Sequence, residues 1–221
     1  NLPQTEWQNE ELADTSVIIW GEQGIGDEIM FASLLPDLAQ EAASVAVECE
    51  PRLLPIYKRS FPGIKFIAKE SSLSSALVNL LADYQMAIGS LGQRYRTTVE
   101  KFPNHNGYLE ADEKQTKQFK QKYRALFPGK RLIGISWKSG NAELGAARTA
   151  SLDLWQTILE QADCVFINIQ YGDVSIELKD FTQRTGFEIY HDESSDPLKD
   201  MDTFAAQLAA LDLVISIDNS T

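Results

Sequence analysis

The sequence predicts an α/β fold in which parallel strands are joined by crossover helices. Short apolar runs alternate along the chain with segments whose apolar residues recur at helical spacing. The first apolar run leads into a glycine-rich turn, Gly21 to Gly26, and then into a helical pattern. The second half of the chain repeats this arrangement, again with a strand that runs into a loop of small residues. Such alternation favours parallel sheets over a sandwich or a helical bundle.

The first half contains four strand candidates. They are Ser16–Trp20, Ser44–Cys49, Ile64–Ala68 and Tyr84–Ile88. A helix is predicted between the first two strands, over Glu28–Ala43. We expect Pro36 to kink this helix, because its ring removes an amide donor and crowds the preceding turn.

The second half contains four further strand candidates and three helices between them. The strands are Leu132–Ser136, Cys164–Ile169, Phe187–Tyr190 and Leu213–Ile217, and the helices cover Leu152–Gln161, Val174–Phe181 and Thr203–Ala210. Each helix is preceded by a residue whose side-chain oxygen can accept from unpaired amides. We therefore predict Ser151, Asp173 and Asp202 as the N-caps.

A turn-rich segment, Phe102–Tyr108, separates the two halves and is followed by a charged helix from about Asp112 to Phe127. We therefore expect two domains, residues 1–108 and residues 109–221. The last predicted strand is followed only by Asp218-Asn219-Ser220-Thr221, although open α/β sheets bind ligands just beyond such strand ends. On this ground we expect the second domain to be incomplete.

The composition argues against several classes of partner. The formal net charge of −12 and the absence of a basic patch with interleaved aromatic residues argue against nucleic acid. No apolar run approaches the ~20 residues of a membrane helix, and no secretory signal is visible, so we expect a cytoplasmic protein without a transmembrane segment. Cys49 and Cys164 each lie on a predicted strand, and His105 and His191 are the only histidines. A zinc site or a disulfide framework is therefore not expected.

The turn after the first strand contains the first candidate site residues. Gly24-Ile25-Gly26-Asp27-Glu28-Ile29 lacks the third glycine of a dinucleotide fingerprint, and its two carboxylates would compete with a phosphate for the helix amides. NAD and FAD are therefore disfavoured. Asp27 has two interpretations: a base that accepts a proton from a hydroxyl, or a cap of the helix, which the spacing alone favours.

The second half supplies a candidate phosphate-binding loop. Lys138 and Arg148 flank a stretch of small residues that includes Gly140, and the two cations can neutralise a diphosphate. An ordinary solvated surface loop is an equally supported alternative. The terminal residues Asp218, Asn219, Ser220 and Thr221 offer partners to a polar ligand or cap a following helix. Asp200-Met201-Asp202 has the Asp-x-Asp spacing of a metal motif but directly precedes a helix, where acids are expected as caps, so we predict no metal.

These motifs together resemble one protein family. The set comprises Trp20-Gly21-Glu22-Gln23-Gly24-Ile25-Gly26-Asp27-Glu28-Ile29-Met30-Phe31-Ala32 with Leu35-Pro36, Gly134-Ile135-Ser136-Trp137, Gly140-Asn141, Arg148-Thr149-Ala150-Ser151-Leu152, Ile169-Gln170-Tyr171-Gly172, Asp200-Met201-Asp202-Thr203-Phe204-Ala205-Ala206 and Leu211-Asp212-Leu213-Val214-Ile215-Ser216-Ile217-Asp218. It resembles the glycosyltransferase-like domain that follows tetratricopeptide repeats in many bacterial proteins, which is itself similar to the ADP-heptose:lipopolysaccharide heptosyltransferases. The likeness spans Ser16 to the end of the chain.

The resemblance implies a GT-B architecture of two Rossmann-like lobes that face a cleft, with the second lobe incomplete here. It also implies a metal-independent, inverting transfer from a nucleotide-diphosphate sugar, used as substrate, with no further cofactor. Asp27 matches the family's base on the acceptor side, where Gly24, Gly26 and Glu28 form the turn. The donor-side positions that match are Lys138, Gly140, Arg148, Gln170, Asp218, Asn219, Ser220 and Thr221.

Sugar transfer to a glycan, lipid or protein acceptor is therefore the leading functional hypothesis. A catalytically inactive binding or scaffolding module associated with tetratricopeptide repeats is the alternative. A nicotinamide-dependent oxidoreductase is disfavoured by Asp27 and Ile29.

Overall fold

In a computed structural model the chain divides into two units, Asn1–Glu110 and Ala111–Thr221. The structure describes residues 2–8, 10–70, 75–104, 106–139 and 145–219. Each unit is built around one sheet in which all paired strands are parallel. The predicted α/β class with parallel sheets is confirmed.

The first unit contains a five-stranded sheet. Its elements are β1 (Thr5–Glu6), β2 (Ser16–Trp20), α1 (Ile25–Ala32), α2 (Leu35–Glu41), β3 (Ser44–Cys49), α3 (Leu54–Ser60), β4 (Lys65–Ala68), α4 (Ser75–Val78), β5 (Tyr84–Ala87) and α5 (Gly92–Tyr95). Short 3-10 turns cover Pro51–Leu53, Ile88–Leu91 and Val99–Lys101. The strand order is β1-β5-β2-β3-β4, so β2 lies at the centre of the sheet.

The second unit contains a four-stranded sheet. Its elements are α6 (Glu113–Leu126), β6 (Arg131–Ser136), α7 (Gly145–Arg148), a 3-10 turn (Leu152–Trp155), α8 (Gln156–Leu159), β7 (Cys164–Asn168), α9 (Ser175–Thr185), β8 (Ile189–His191), α10 (Met201–Ala209) and β9 (Leu213–Ser216). The strand order is β8-β7-β6-β9. Consequently β6 and β9, which are followed two residues later by the predicted donor-side residues Lys138 and Asp218, are neighbours.

All eight predicted strands are present, and their ends agree with the prediction to within two residues. The prediction missed β1, which pairs with β5 through Thr5 and Glu6. Both of these residues are exposed, so the segment carries no apolar pattern that a sequence analysis can detect.

The predicted helix over Glu28–Ala43 is wrong in its bounds, because it is two helices. α1 begins at Ile25 and ends at Ala32, and α2 begins at Leu35. Pro36 does not kink a continuous helix but lies in the first turn of α2, where a missing amide donor costs no helical hydrogen bond. The earlier start of α1 places Asp27 inside its first turn.

Two of the predicted N-caps are corrected. Asp200, not Asp202, caps α10, since its carboxylate accepts from the backbone amides of Asp202 and Thr203 at 2.9 and 3.1 Å. The residue at the N-cap of α9 is Val174, and the Asp173 carboxylate accepts from the amide of Ser175 one step outside the helix. Ser151 caps the turn that begins at Leu152, as predicted.

A buried polar cluster joins α6, α10 and the loop after β8 in the second unit. The Asp192 carboxylate, 3% exposed, accepts from Lys122 Nζ and from the Tyr123 hydroxyl, each at 2.8 Å. Gln207 Nε2 donates to the same hydroxyl at 2.8 Å. Burial alone would raise the pKa of Asp192, but the hydrogen bonds from Lys122, Ser194 and Tyr123 outweigh it and lower that pKa.

Two further features concern the surface. No helix among the described residues is long and apolar enough to span a bilayer. Strand β9 forms one edge of the second sheet, and its residues Leu213 and Val214 are 52% and 39% exposed. Apolar residues on an open edge strand are unusual, because such an edge readily pairs with another chain segment.

Candidate functional site

The turn from β2 to α1 places Asp27 and Glu28 at the carboxyl edge of the first sheet, but it gives them opposite environments. Glu28 is 3% exposed, whereas Asp27 is half-buried. The N-cap of α1 is Gly24, and no side chain caps this helix, so the capping interpretation of Asp27 is wrong. The Asp27 carboxylate makes no hydrogen bond or ion pair with any described residue. It is therefore available to a ligand.

Glu28 holds the turn against the end of β3. Both of its carboxylate oxygens accept from the backbone N–H of Glu50, at 3.0 and 3.2 Å. Gly21 makes room for this contact, since a Cβ atom there would lie 3.3 Å from Glu28 Oε2. Lys69 Nζ donates to the Gly21 carbonyl at 2.8 Å and completes the junction. Gly21 thus serves close packing, and Gly21, Gly24 and Gly26 are not among the described glycines with positive φ.

Burial gives the Glu28 carboxyl an unusually high pKa. It raises the pKa of Glu28 from 4.5 to about 7, and the nearby Glu50 and Glu48 charges add to this effect. The hydrogen bond from Glu50 and the charge of Lys69 act in the opposite direction without cancelling it. Glu28 is thus a buried junction residue, while Asp27 is the carboxylate that faces outward.

In the second unit the predicted donor-side residues gather beyond β6 and β9. Ser136 and Ser216 are paired in register, and Lys138 and Asp218 each follow two residues later. Arg148 Nε lies 3.4 Å from Asp218 Oδ2, and Asn219 Nδ2 donates to Ser136 Oγ at 2.7 Å. Gly140, Ser220 and Thr221 lie outside the described residues.

Lys138 makes an ion pair that the sequence analysis did not anticipate. Its Nζ lies 2.6 Å from Glu177 Oε2, while the indole N–H of Trp137 donates to Glu177 Oε1 at 2.9 Å. Glu177 lies on α9, 39 positions further along the chain from Lys138, and no local pattern in the sequence indicates this pairing. A diphosphate at this position would compete with Glu177 for Lys138.

Gln170 organises the start of the loop after β6. Its side-chain oxygen accepts from Ser136 Oγ at 3.1 Å and from the amides of Trp137 and Lys138 at 3.0 and 2.9 Å. Gln170 is 5% exposed, and its backbone N–H donates to Asn168 Oδ1 at 2.9 Å. Through these three hydrogen bonds its side-chain oxygen holds the backbone at the start of the loop.

The Asp200-Met201-Asp202 triplet is engaged in helix capping. Asp200 accepts from the amides at the start of α10 and from the Thr203 hydroxyl at 2.6 Å. In the described part of the chain, no group of three or more His, Cys, Asp or Glu side chains is arranged to hold a metal ion.

Solved glycosyltransferases share this fold. The glycosyl transferase family 9 protein of Veillonella parvula matches 95% of this chain and 77% of its own, with a TM-score of 0.65 and 10% identity. ADP-heptose LPS heptosyltransferase II of E. coli matches 93% of this chain and 80% of its own, with a TM-score of 0.60 and 13% identity. The fold is of the GT-B type. The two parallel sheets correspond to its two Rossmann-like lobes.

A third structure with this fold is the iron-containing dodecameric glycosyltransferase TibC from enterotoxigenic E. coli, which matches 94% of this chain and 55% of its own (TM-score 0.54, 10% identity). In sequence, Protein FlbA of Caulobacter vibrioides is 34% identical over 233 residues. That alignment takes in 100% of this chain but 39% of FlbA, so the chain spans about two fifths of that relative. No protein-family model matches the sequence.

Proposed function

We propose that the protein transfers a sugar from a nucleotide-diphosphate sugar to an acceptor hydroxyl, without a metal ion and with inversion at the anomeric carbon. The observation that carries this proposal is the Asp27 carboxylate. It is half-buried in the first turn of α1 and makes no hydrogen bond or ion pair with any described residue. The GT-B fold, shared with solved glycosyltransferases, gives that carboxylate its chemical context.

In the proposed reaction Asp27 acts as the general base. The acceptor hydroxyl gives its proton to the Asp27 carboxylate while its oxygen attacks the anomeric carbon from the face opposite the leaving group. The bond from that carbon to the diphosphate oxygen breaks, and the nucleoside diphosphate leaves with the electron pair. Attack from the opposite face inverts the configuration. A base positioned in this way typically contributes about 100-fold to 10,000-fold in rate.

The second unit supplies the groups that would stabilise the leaving diphosphate. Arg148 and Lys138 lie near the ends of adjacent parallel strands, where open α/β sheets bind ligands. Binding of the diphosphate requires Arg148 to exchange Asp218 for phosphate oxygens. Breaking the ion pair between Arg148 and Asp218 costs little free energy, because the Asp218 side chain is 79% exposed and an exposed ion pair contributes about 1 kcal/mol or less.

The test compares Asp27→Asn with Asp14→Asn in the full-length protein. Asp14 is an exposed carboxylate of the same unit, so both changes remove one charge. Transfer and donor hydrolysis are measured with a panel of sugar nucleotides. We expect Asp27→Asn to lower kcat by about 100-fold or more and Asp14→Asn to leave it unchanged. Equal activity of the two variants would refute the role of Asp27.

A non-catalytic binding or scaffolding module is the second candidate, and one observation favours it. Both predicted donor-side cations are already paired with carboxylates, Lys138 with Glu177 and Arg148 with Asp218. Calorimetry with nucleoside diphosphates separates the candidates, with Arg148→Gln as the matched variant. Binding that weakens about tenfold in Arg148→Gln supports the transferase. Absence of nucleotide binding in the wild type supports the scaffold.

We further infer a cytoplasmic setting and an association with tetratricopeptide repeats in the same full-length protein. Three acceptor classes fit the proposal: glycans, lipids and proteins. Fractionation of cells that produce the full-length protein checks the location. The sequence outside this chain decides whether repeats are present.

A further inference from the structure

A separate cavity of about 520 Å³ lies on one face of the first sheet. Its described lining residues are Leu2, Gln4, Glu6, Trp20, Glu48, Leu77 and Gln85. This volume falls within the roughly 300–1,000 Å³ of small-molecule sites. Asp27 is not part of its lining, and none of the lining residues has a role in the proposed sugar transfer.

The cavity arises because one face of the sheet changes from apolar to polar along its strands. Ile18 pairs in register with Ala46 and with Gln85, and residues two apart on a strand share a face. Ile18 and Ala46 pack in an apolar cluster with Leu77, whereas Trp20 and Glu48, two residues further along, line the cavity. A fully covered parallel sheet would carry apolar side chains at these positions.

Glu48 is the most informative residue of this cavity. It is 7% exposed, yet its carboxylate makes no hydrogen bond or ion pair with a described residue. Burial raises the pKa of Glu48, and the charge of Lys69 opposes that effect from outside the cavity lining. The Glu48 oxygens are not among the described side-chain atoms that are sealed from solvent without a partner, so they are accessible from the cavity, and a ligand that donates to them gains a charge-assisted hydrogen bond.

The other polar groups of the lining are mainly acceptors as well. Glu6 adds a second carboxylate, whereas Gln4 Oε1 has no hydrogen-bond partner but is sealed from solvent and lies out of a ligand's reach. Gln85 Oε1 accepts from the Trp20 indole N–H at 2.5 Å, which holds the ring in place and leaves the Gln85 amide nitrogen as a donor. No Lys or Arg is among the described lining residues, which disfavours phosphates and other anions.

We propose that this cavity binds an amino sugar, whose protonated amine donates to Glu48 and whose ring packs against Trp20. An ammonium group carries three donors and a positive charge, which matches the two carboxylates of the lining. The apolar wall and the Gln85 amide suit the carbon face and the hydroxyl groups of a pyranose ring. This site adds a second ligand to the proposed function and does not depend on Asp27.

The test is an NMR titration of the full chain, in which the Trp20 indole N–H signal reports on the cavity. Glucosamine, at a pH where its amine is protonated, is compared with glucose and N-acetylglucosamine. We expect glucosamine to bind at least about tenfold more tightly than either neutral sugar, because its charged amine adds a charge-assisted hydrogen bond. Equal affinities, or a shift pattern that leaves Trp20 unaffected, would overturn the proposal.

Variants then assign the preference to the carboxylates. Glu48→Gln should reduce the preference for glucosamine to within about twofold, while Glu100→Gln, an exposed charge change in the same unit, should leave it intact. If Glu48→Gln does not fold, Glu6→Gln at an exposed position must by itself weaken glucosamine binding, or the assignment is wrong.

Binding of Nα-acetyl-lysine amide as tight as that of glucosamine would show that the sugar ring is not recognised and would also overturn the proposal. Because binding is measured without turnover, this result is independent of the outcome for Asp27→Asn.

Discussion

Glu28 couples the stability of the first unit to pH. Its pKa of about 7 in the folded state lies above its ordinary value of 4.5, so the folded protein retains a proton that the unfolded chain releases. This linkage lowers the free energy of unfolding as pH rises from 4.5 to about 7, and the effect is complete above that range. Stability attributable to Glu28 is therefore greatest at acidic pH.

Glu28→Gln should remove this dependence while keeping an oxygen that accepts from the Glu50 amide. Between about pH 5 and pH 8 we expect the wild type to lose on the order of 2 kcal/mol relative to this variant. Urea unfolding of both proteins across that range measures the difference. A constant difference between the two curves would contradict the prediction. Glu28→Ala is the matched control, because it removes the carboxyl but should destabilise the protein at every pH by leaving the Glu50 amide without its partner.

Asp27 and Glu28 form one acidic turn in the sequence, but the structure gives them different environments. Their exposure depends on the end of β3, where Glu50 offers its backbone N–H, and on the absence of a Cβ at Gly21. Both contacts join residues that are not neighbours in sequence. A local motif therefore predicts that carboxylates are present at this edge, but it does not predict which one is buried.

At the scale of elements, the loop after β6 depends on Gln170. Gln170→Ala removes the acceptor of three donors, two of which are the buried backbone amide of Trp137 and the buried hydroxyl of Ser136. We expect a loss of about 2–3 kcal/mol in the free energy of unfolding. Hydrogen exchange at the Trp137 and Lys138 amides should become faster by about tenfold or more.

Gln170→Glu is the comparison for this prediction: it loses the donor to the Tyr171 carbonyl but keeps an acceptor oxygen of the same reach, so it should retain more of the amide protection than Gln170→Ala. Equal exchange rates in the alanine variant and the wild type would show that Gln170 does not hold the loop. Gln170 is also one of the predicted donor-side residues. A direct donor role and this structural role are distinguishable, since only the second changes exchange in the absence of any nucleotide.

Strands were predicted more accurately than helix boundaries, for a physical reason. Central parallel strands are buried on both faces, so segments such as residues 17–19 of β2 appear as continuous apolar runs. The break between α1 and α2 at Ser33 and Leu34 has no such signal, because Pro36 is compatible both with a kinked helix and with the first turn of a new one. Only the packing of the two helices decides between these alternatives.

At the scale of the whole molecule, each unit has the components of an independent domain. The first unit has a five-stranded sheet, and the second has a four-stranded sheet with a core around Trp137, Trp155 and Phe181. The buried cluster of Lys122, Tyr123, Asp192 and Gln207 also lies entirely within the second unit. The turn-forming residues near 102–108 lie close to the boundary between the two units, and a repeated strand and helix pattern lies on either side of it.

These observations predict that residues 1–110 and residues 111–221, produced separately, each fold without the other. Each unit closes its own parallel sheet and buries its own apolar side chains, which are the requirements for autonomous folding. Far-UV circular dichroism and urea titration of each fragment should give native-like spectra and one cooperative transition. Exposed Leu213 and Val214 on β9 should make the second fragment the more prone to associate, and Val214→Lys should reduce that association. A fragment that remains unfolded as a monomer would show that its sheet requires the other unit, and the division of the chain into two domains would then be wrong.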